Sequence, residues 1–328
     1  MSSEILDGGY RFDVGPSLLL MPQVYRESFA MLGENIDDHV DLLEIRDPLY
    51  RVFFDDAPTT PIDISRDPIR MQESLERLAP GKGEEMKLKL DEYMRIANTF
   101  LEFGWPAVIE ERMFEPEQLM KLPSFLGACM LAWPLNSHTA MLRSIFTNEQ
   151  KKIHALLSFQ DLYIGLAPSE TPSIFSLLQS LEITQGIYYP RGGFIKVGQA
   201  LTAIAKKNHV RVVTDTEVVK LRRTENIITA VSTLNHGEIE LDELVLNLDA
   251  PEAERRLVHE DYSDTAALKS RPSCGIVQLH LGLRRKLDAL AHHSLCPRRS
   301  TAKASGGGGG EREQSRLGTA QSITECTV

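Results

Sequence analysis

Hydrophobic spacing divides this chain into strand-like ends around a helical middle. Tyr10–Leu20 reads as a strand, a Gly-Pro turn and an apolar helix start. Val40–Ile45, Tyr50–Asp55 and Pro61–Ser65 read as short strands, separated by Asp-Pro and Ala-Pro-Thr-Thr-Pro turns. Asp67 is a good N-cap and Pro68 suits a first helical position, so a helix is predicted to open there. Met71, Leu75 and Leu78 supply its stripe, and Pro80-Gly81 ends it. A long helix is predicted from Glu84 to Phe103, with further helix to Ser180 broken at prolines. Strand character returns at Gly186–Pro190. A helix over Lys196–Asn208 leads into a meander of Val210–Thr214, Glu217–Leu221, Ile227–Leu234 and Glu238–Asn247, with Asn235-His236-Gly237 as a hairpin turn. Cys274–Leu283 is a later strand candidate.

The order predicts a mixed α/β (α+β) chain with a helical domain inserted between parts of a sheet domain. The implied divisions are 1–65, 66–185, 186–296 and 297–328. From Pro297 the periodicity stops, and Gly306–Gly310 is a run of glycine. That segment is expected to be disordered or non-native sequence.

Composition narrows the classes of function. The 328 residues carry a net charge of −10. The last segment is basic in balance, so the body is more acidic still. Phosphate neutralisation needs clustered Lys and Arg, so nucleic acid is not an expected partner. Cys129, Cys274, Cys296 and Cys326 form no C-x-x-C pair and read as reduced thiols. His292 and His293 are adjacent, which points their rings apart on a regular element, and no metal pattern accompanies them. They read as surface or loop histidines, and His138, His154 and His209 as isolated ones. Glu115, Glu117 and Asp161 read as solvated helix carboxylates. No catalytic base and no metal ligand is assigned.

Two segments could approach a cofactor on their residues alone. Gly15-Pro16-Ser17 offers a rigid turn with open backbone N–H groups, or is an ordinary strand-to-helix corner. Arg191-Gly192-Gly193 lies between a strand and a helix, where glycine permits close approach and Arg191 could face an anionic group. Val218 sits in an alternating Val run that any half-buried strand would show, and Glu243–Ala250 follows. No G-x-G-x-x-G occurs anywhere in the chain.

Together, Gly9–Pro22, Phe159–Gly165, Thr171–Phe175, the aromatic-Pro-x-Gly-Gly run Tyr188–Gly193 and Leu290–Cys296 resemble the phytoene desaturase and carotenoid isomerase group of the FAD-dependent amine-oxidase superfamily. The resemblance covers about residues 8–296 and implies a chain truncated at both ends. It implies a partial FAD/NAD(P)-binding-type flavoprotein fold with a large helical substrate domain. It also implies FAD as cofactor, with Gly15, Pro16, Ser17, Arg191, Gly192, Gly193 and Val218 near it, and a long apolar polyene as substrate. Membrane-peripheral placement in a plastid or bacterium is implied too, although the sequence itself names no compartment. Residues 119–135 are apolar but interrupted by Lys121, Pro123 and Pro134, which suits an interfacial helix or a buried one better than a membrane span. A non-catalytic lipid or carotenoid binder, and a retinol-saturase-like relative, stay open as alternatives.

Overall fold

The computed structural model describes residues 2–5, 10–104, 135–147, 150–225, 227–258, 275–285, 287–297 and 321–324. The segment 119–134 of the interfacial-helix expectation, Glu115, Glu117 and three of the four cysteines lie outside them. In chain order the described elements begin with β1 (Ser2–Ile5), β2 (Arg11–Val14), α1 (Pro22–Met31), β3 (Leu42–Glu44), β4 (Tyr50–Phe54) and β5 (Ala57–Ile64). Helices α2 (Pro68–Leu78), α3 (Gly83–Gly104), α4 (His138–Ile145), α5 (Lys151–Ser158), α6 (Asp161–Ile164) and α7 (Leu177–Gln185) follow. Then come β6 (Tyr188–Pro190), α8 (Ile195–Lys207), β7 (Val218–Thr224), β8 (Ile227–Thr233), β9 (Gly237–Glu240), α9 (Ala250–Ala253), β10 (His293–Cys296) and β11 (Gln321–Thr324).

Two compact units result, one of residues 1–200 with 274–328 and one of residues 201–273. In the first, a sheet of order β11-β10-β4-β5 packs against the helices. Alternation along β4 buries Tyr50, Val52 and Phe54. These meet Ile62 and Ile64 of β5, Met71 and Leu75 of α2, and Leu90, Tyr93, Ile96 and Phe100 of α3 in one core. Each such side chain contributes about 1.5–3 kcal/mol on burial. Among the described residues, then, helices and sheet share a core. Asp67 caps α2 through the N–H groups of Ile69 and Arg70, as its sequence position predicts. The second unit holds the meander β7-β8-β9 with its turn before Gly237.

Five expectations need correction. No helix starts after Gly15-Pro16-Ser17. Leu19 is instead extended and exchanges both backbone hydrogen bonds with Tyr188, at 2.8 and 2.9 Å, and the helix waits for Pro22. Ala-Pro-Thr-Thr-Pro is strand, not turn. It opens β5 at a sheet edge, where prolines lacking N–H are tolerated, and the reversal falls at Asp55-Asp56. Val210–Thr214 is no strand. Left-handed His209 and Asp215 bracket it, and it has no ladder partner among the described residues. The last meander strand ends at Glu240 rather than Asn247. Residues 275–283 also have no ladder partner among the described residues, yet they run antiparallel beside β2: Tyr10 lies against Gly282, Phe12 stacks on His280, and Gln278 donates to the Asp13 carbonyl. Beyond these, β11 pairs with β10 inside the segment expected to be disordered, while residues 298–320 and 325–328 lie outside the described residues.

Candidate functional site

Two of the predicted segments converge on one carboxylate. Asp13 Oδ2, on β2, accepts from the Tyr189 hydroxyl at 2.7 Å and from the Phe194 N–H at 3.0 Å. Its Oδ1 is buried with no hydrogen-bond partner. This ties the Gly15–Ser17 turn to the Tyr188–Gly193 corner, and the Leu19–Tyr188 bridge repeats the tie. Gly193 has φ +89°, and a Cβ there would stand 2.6 Å from Asp13 Oδ1. Its glycine therefore makes room for Asp13. Gly15 differs: φ is +131° and nothing lies within 4 Å of the position a Cβ would take. The Gly15-Pro16 turn is exposed and its backbone is open to approach.

Beside this turn stand the two histidines expected on the surface, and the structure corrects that reading. His293 is buried on β10, which lies parallel to β4, and it approaches Ser17 Oγ at 3.0 Å through Nε2. His292 Nδ1 and His293 Nδ1 are 2.9 Å apart, and His292 meets the Tyr189 ring edge-on at 4.9 Å. Burial pushes His292 down to about 4; burial and then the His292 charge push His293 down to about 3. Both are neutral near pH 7. Ser294 Oγ accepts from the Ala291 N–H, and Arg51 donates to the Ala289 carbonyl, so the segment entering the pair is pinned. Ala291, His292 and Tyr189 line an open cleft of ≈ 340 Å³ with residues 43–48.

Arg191 is exposed, and its Nε meets Asp41 at 2.6 Å, so an internal carboxylate already faces the guanidinium. Val218 opens β7 opposite Thr233, in the second unit.

A second polar cluster lies inside the first unit. His138 Nδ1 sits 3.0 Å from both oxygens of Asp161, and both residues are buried. The isolated histidine and the solvated carboxylate of the sequence reading are thus one buried pair. Their spacing of 23 residues gives no local signal. Tyr93 Oη lies 3.0 Å from His138 Nε2 and donates to Gln179 at 2.8 Å. Gln179 reaches Gln160, and Gln160 donates to Glu182 Oε2 at 2.8 Å, which also accepts from Tyr50 at 3.0 Å. Burial raises Asp161, and His138 opposes that rise. Burial raises Glu182 to about 7, against the hydrogen bonds from Gln160 and Tyr50. Its Oε1 has no partner. Among the described residues no group of His, Cys, Asp or Glu could hold a metal ion, and no helix is long and apolar enough to cross a membrane.

Residues 1–319 match the family of flavin containing amine oxidoreductases. The chain belongs to that family. That family is flavin-containing, which supports FAD as the cofactor. A phytoene desaturase of Phycomyces blakesleeanus is 32% identical over 298 residues, covering 89% of this chain and 49% of that protein. A carotenoid 3,4-desaturase of Haloarcula japonica is 29% identical over 88% of this chain and 57% of its own length. A 4,4'-diapolycopene oxygenase of Methylomonas is 27% identical over 88% of this chain and 56% of its own. The chain spans about half the length of these curated relatives. Sequence reasoning pointed to the windows holding Asp13, Tyr189, His292 and His293. It missed their roles, because partners so far apart in the chain leave no spacing to read.

Proposed function

We propose that this chain belongs to an FAD-dependent carotenoid desaturase-type oxidoreductase acting on a long apolar polyene. The observation that carries the reading is the Asp13-centred corner, which gathers the Gly15–Ser17 turn and the Tyr188–Gly193 run of a flavin-family chain onto one rigid frame. The names of the relatives supply the polyene class.

The corner fits part of a flavin. Gly15 leaves an open backbone edge, while the buried Asp13 Oδ1 packs against Gly193 behind it. A diphosphate needs a strand–Gly-rich turn–helix, and no G-x-G-x-x-G is present to supply it. Bound FAD supplies the hydride acceptor; the protein orients the polyene and excludes water. Gly15, Pro16 and Ser17 then form the cofactor-facing edge, while Gly192 and Gly193 shape it from behind. Arg191 holds the rim through Asp41, and Val218 is the adenosine-side contact. The helices of residues 66–185 act as the substrate domain, with residues 119–135 as its membrane-surface contact. The protein works at a plastid or bacterial membrane.

The test loads the protein with flavin and gives it phytoene in liposomes. A flavin-loaded product that lengthens the chromophore supports the reading. A flavin-loaded product that leaves phytoene unchanged contradicts it.

A further inference from the structure

Ser17, His293 and His292 stand in hydrogen-bonded sequence from the cofactor-facing turn to the wall of the cleft. The two imidazole planes are only 12° apart, with centroids 5.0 Å apart and Nδ1 atoms 2.9 Å apart. Nearly parallel rings whose nearest atoms are two nitrogens meet edge to edge, so the lone pair of one lies along the N–H of the other. One imidazole must donate and the other accept.

The geometry points to a proton wire: Ser17, His293 and His292 accept the proton lost by the polyene at His292 and pass it toward the Gly15–Ser17 turn. This rests on the desaturation reading above. Desaturation breaks C–H bonds on two adjacent carbons and forms one C=C bond. One hydrogen leaves with its electron pair to the flavin-class oxidant. The other leaves as a proton, and the electrons of its C–H bond become the new π bond. That proton needs an acceptor near the polyene.

His292 suits the task. With its Nδ1–H donating to His293 Nδ1, its Nε2 is the nitrogen outside the pair and carries a lone pair. His293 Nε2–H then donates to Ser17 Oγ. When a proton reaches His292 Nε2, the Nδ1 proton moves to His293, the His293 Nε2 proton moves to Ser17, and the Ser17 hydroxyl releases its own proton to water at the exposed turn. Every member is both donor and acceptor, so the reversed set of tautomers stays hydrogen-bonded, and the wire resets when the return hops release the His292 Nε2 proton to water in the open cleft and water reprotonates Ser17. The depressed basicity of both rings keeps them neutral between turnovers. The charged groups of the cleft wall are Glu44, Arg46 and Asp47. Glu44 is engaged by Arg66 and Asp47 by Arg70, which leaves the imidazole as the neutral base there.

Two readouts test the wire. In the 328-residue chain with nitrogen-15 histidine, a coupling between the two Nδ1 nuclei across the hydrogen bond is expected, with neither ring titrating between about pH 5 and pH 8. Absence of the coupling, or two rings titrating near the ordinary histidine value, overturns the proposal. In the flavin-loaded protein, His292→Gly and His293→Gln are expected to lower kcat on phytoene by on the order of 10²-fold. KM and flavin content stay unchanged, and added imidazole restores turnover in His292→Gly. Unchanged kcat in a working enzyme overturns the wire alone. A flavin-loaded parent that never desaturates overturns the function above and the wire's role with it, even where the coupling is seen.

Discussion

The two polar clusters of the first unit share Asp, His and Tyr and stand in opposite relation to solvent. In the inner cluster, Tyr50, Tyr93, His138, Gln160, Asp161, Gln179 and Glu182 are all essentially inaccessible and bonded to one another. In the outer cluster, Asp13, Ser17, Tyr189, His292 and His293 lead from a half-buried carboxylate to an exposed turn and an open cleft. A dry network spends its donors and acceptors on holding α3, α4, α6, α7 and β4 together, and no reactant reaches it. A network with one wet edge can hold an element and also exchange a proton or meet a ligand. Position relative to solvent, not residue type, separates structural from chemical polarity here.

The contrast breaks most visibly at His138. Replacing it with Leu leaves Asp161 buried without its partner, and a loss of about 3–5 kcal/mol is expected in urea unfolding. A loss below about 1 kcal/mol, the scale of an exposed pair, would move this cluster into the solvated class.

Glu182 sharpens the comparison through pH. Its folded value of about 7 lies above the ordinary 4.5. The folded state therefore holds a proton that the unfolded state has released, so this stability is full below about pH 4.5 and is lost as pH rises through about 7. The difference amounts to about 3 kcal/mol. Glu182→Gln, neutral throughout, should gain that much relative to the parent between about pH 4.5 and pH 8, read from unfolding curves across pH. Parallel pH profiles for parent and variant would contradict the buried acid.

The two glycines of the outer cluster give the smallest and most discriminating effects. Gly193→Ala forces a methyl against Asp13 as well as an unfavourable φ, and should cost about 2–3 kcal/mol. Gly15→Ala meets only the φ strain and should cost about 1 kcal/mol. Equal costs would mean that the Asp13 carboxylate moves aside freely.

Much of the architecture was readable where local rules suffice. Asp67-Pro68 announced α2, and Met71, Leu75 and Leu78 gave its face. β4, β7 and β8 followed from alternation. Alternation failed at Val210–Thr214 and at residues 275–283, because a strand also needs a partner to complete its ladder. Val277 is 90% exposed despite its apolar neighbours. β10 was not seen, since a buried His-Ser pair does not resemble a hydrophobic strand. For the site, the resemblance located the Tyr10–Pro22 and Tyr188–Gly193 windows, but only folding shows that Asp13 joins them. His138–Asp161 and Ser17–His293 were illegible for the same reason.

The account turns on the division between an inner structural cluster and an outer chemical one. The most direct test compares His138→Gln and His293→Gln in the flavin-loaded protein, reading Tm and kcat on phytoene together. The account predicts that His138→Gln lowers Tm while the remaining folded protein keeps its kcat, and that His293→Gln lowers kcat with Tm little changed. The reverse pattern, lost turnover in a stable His138 variant and full turnover in a His293 variant, would contradict it.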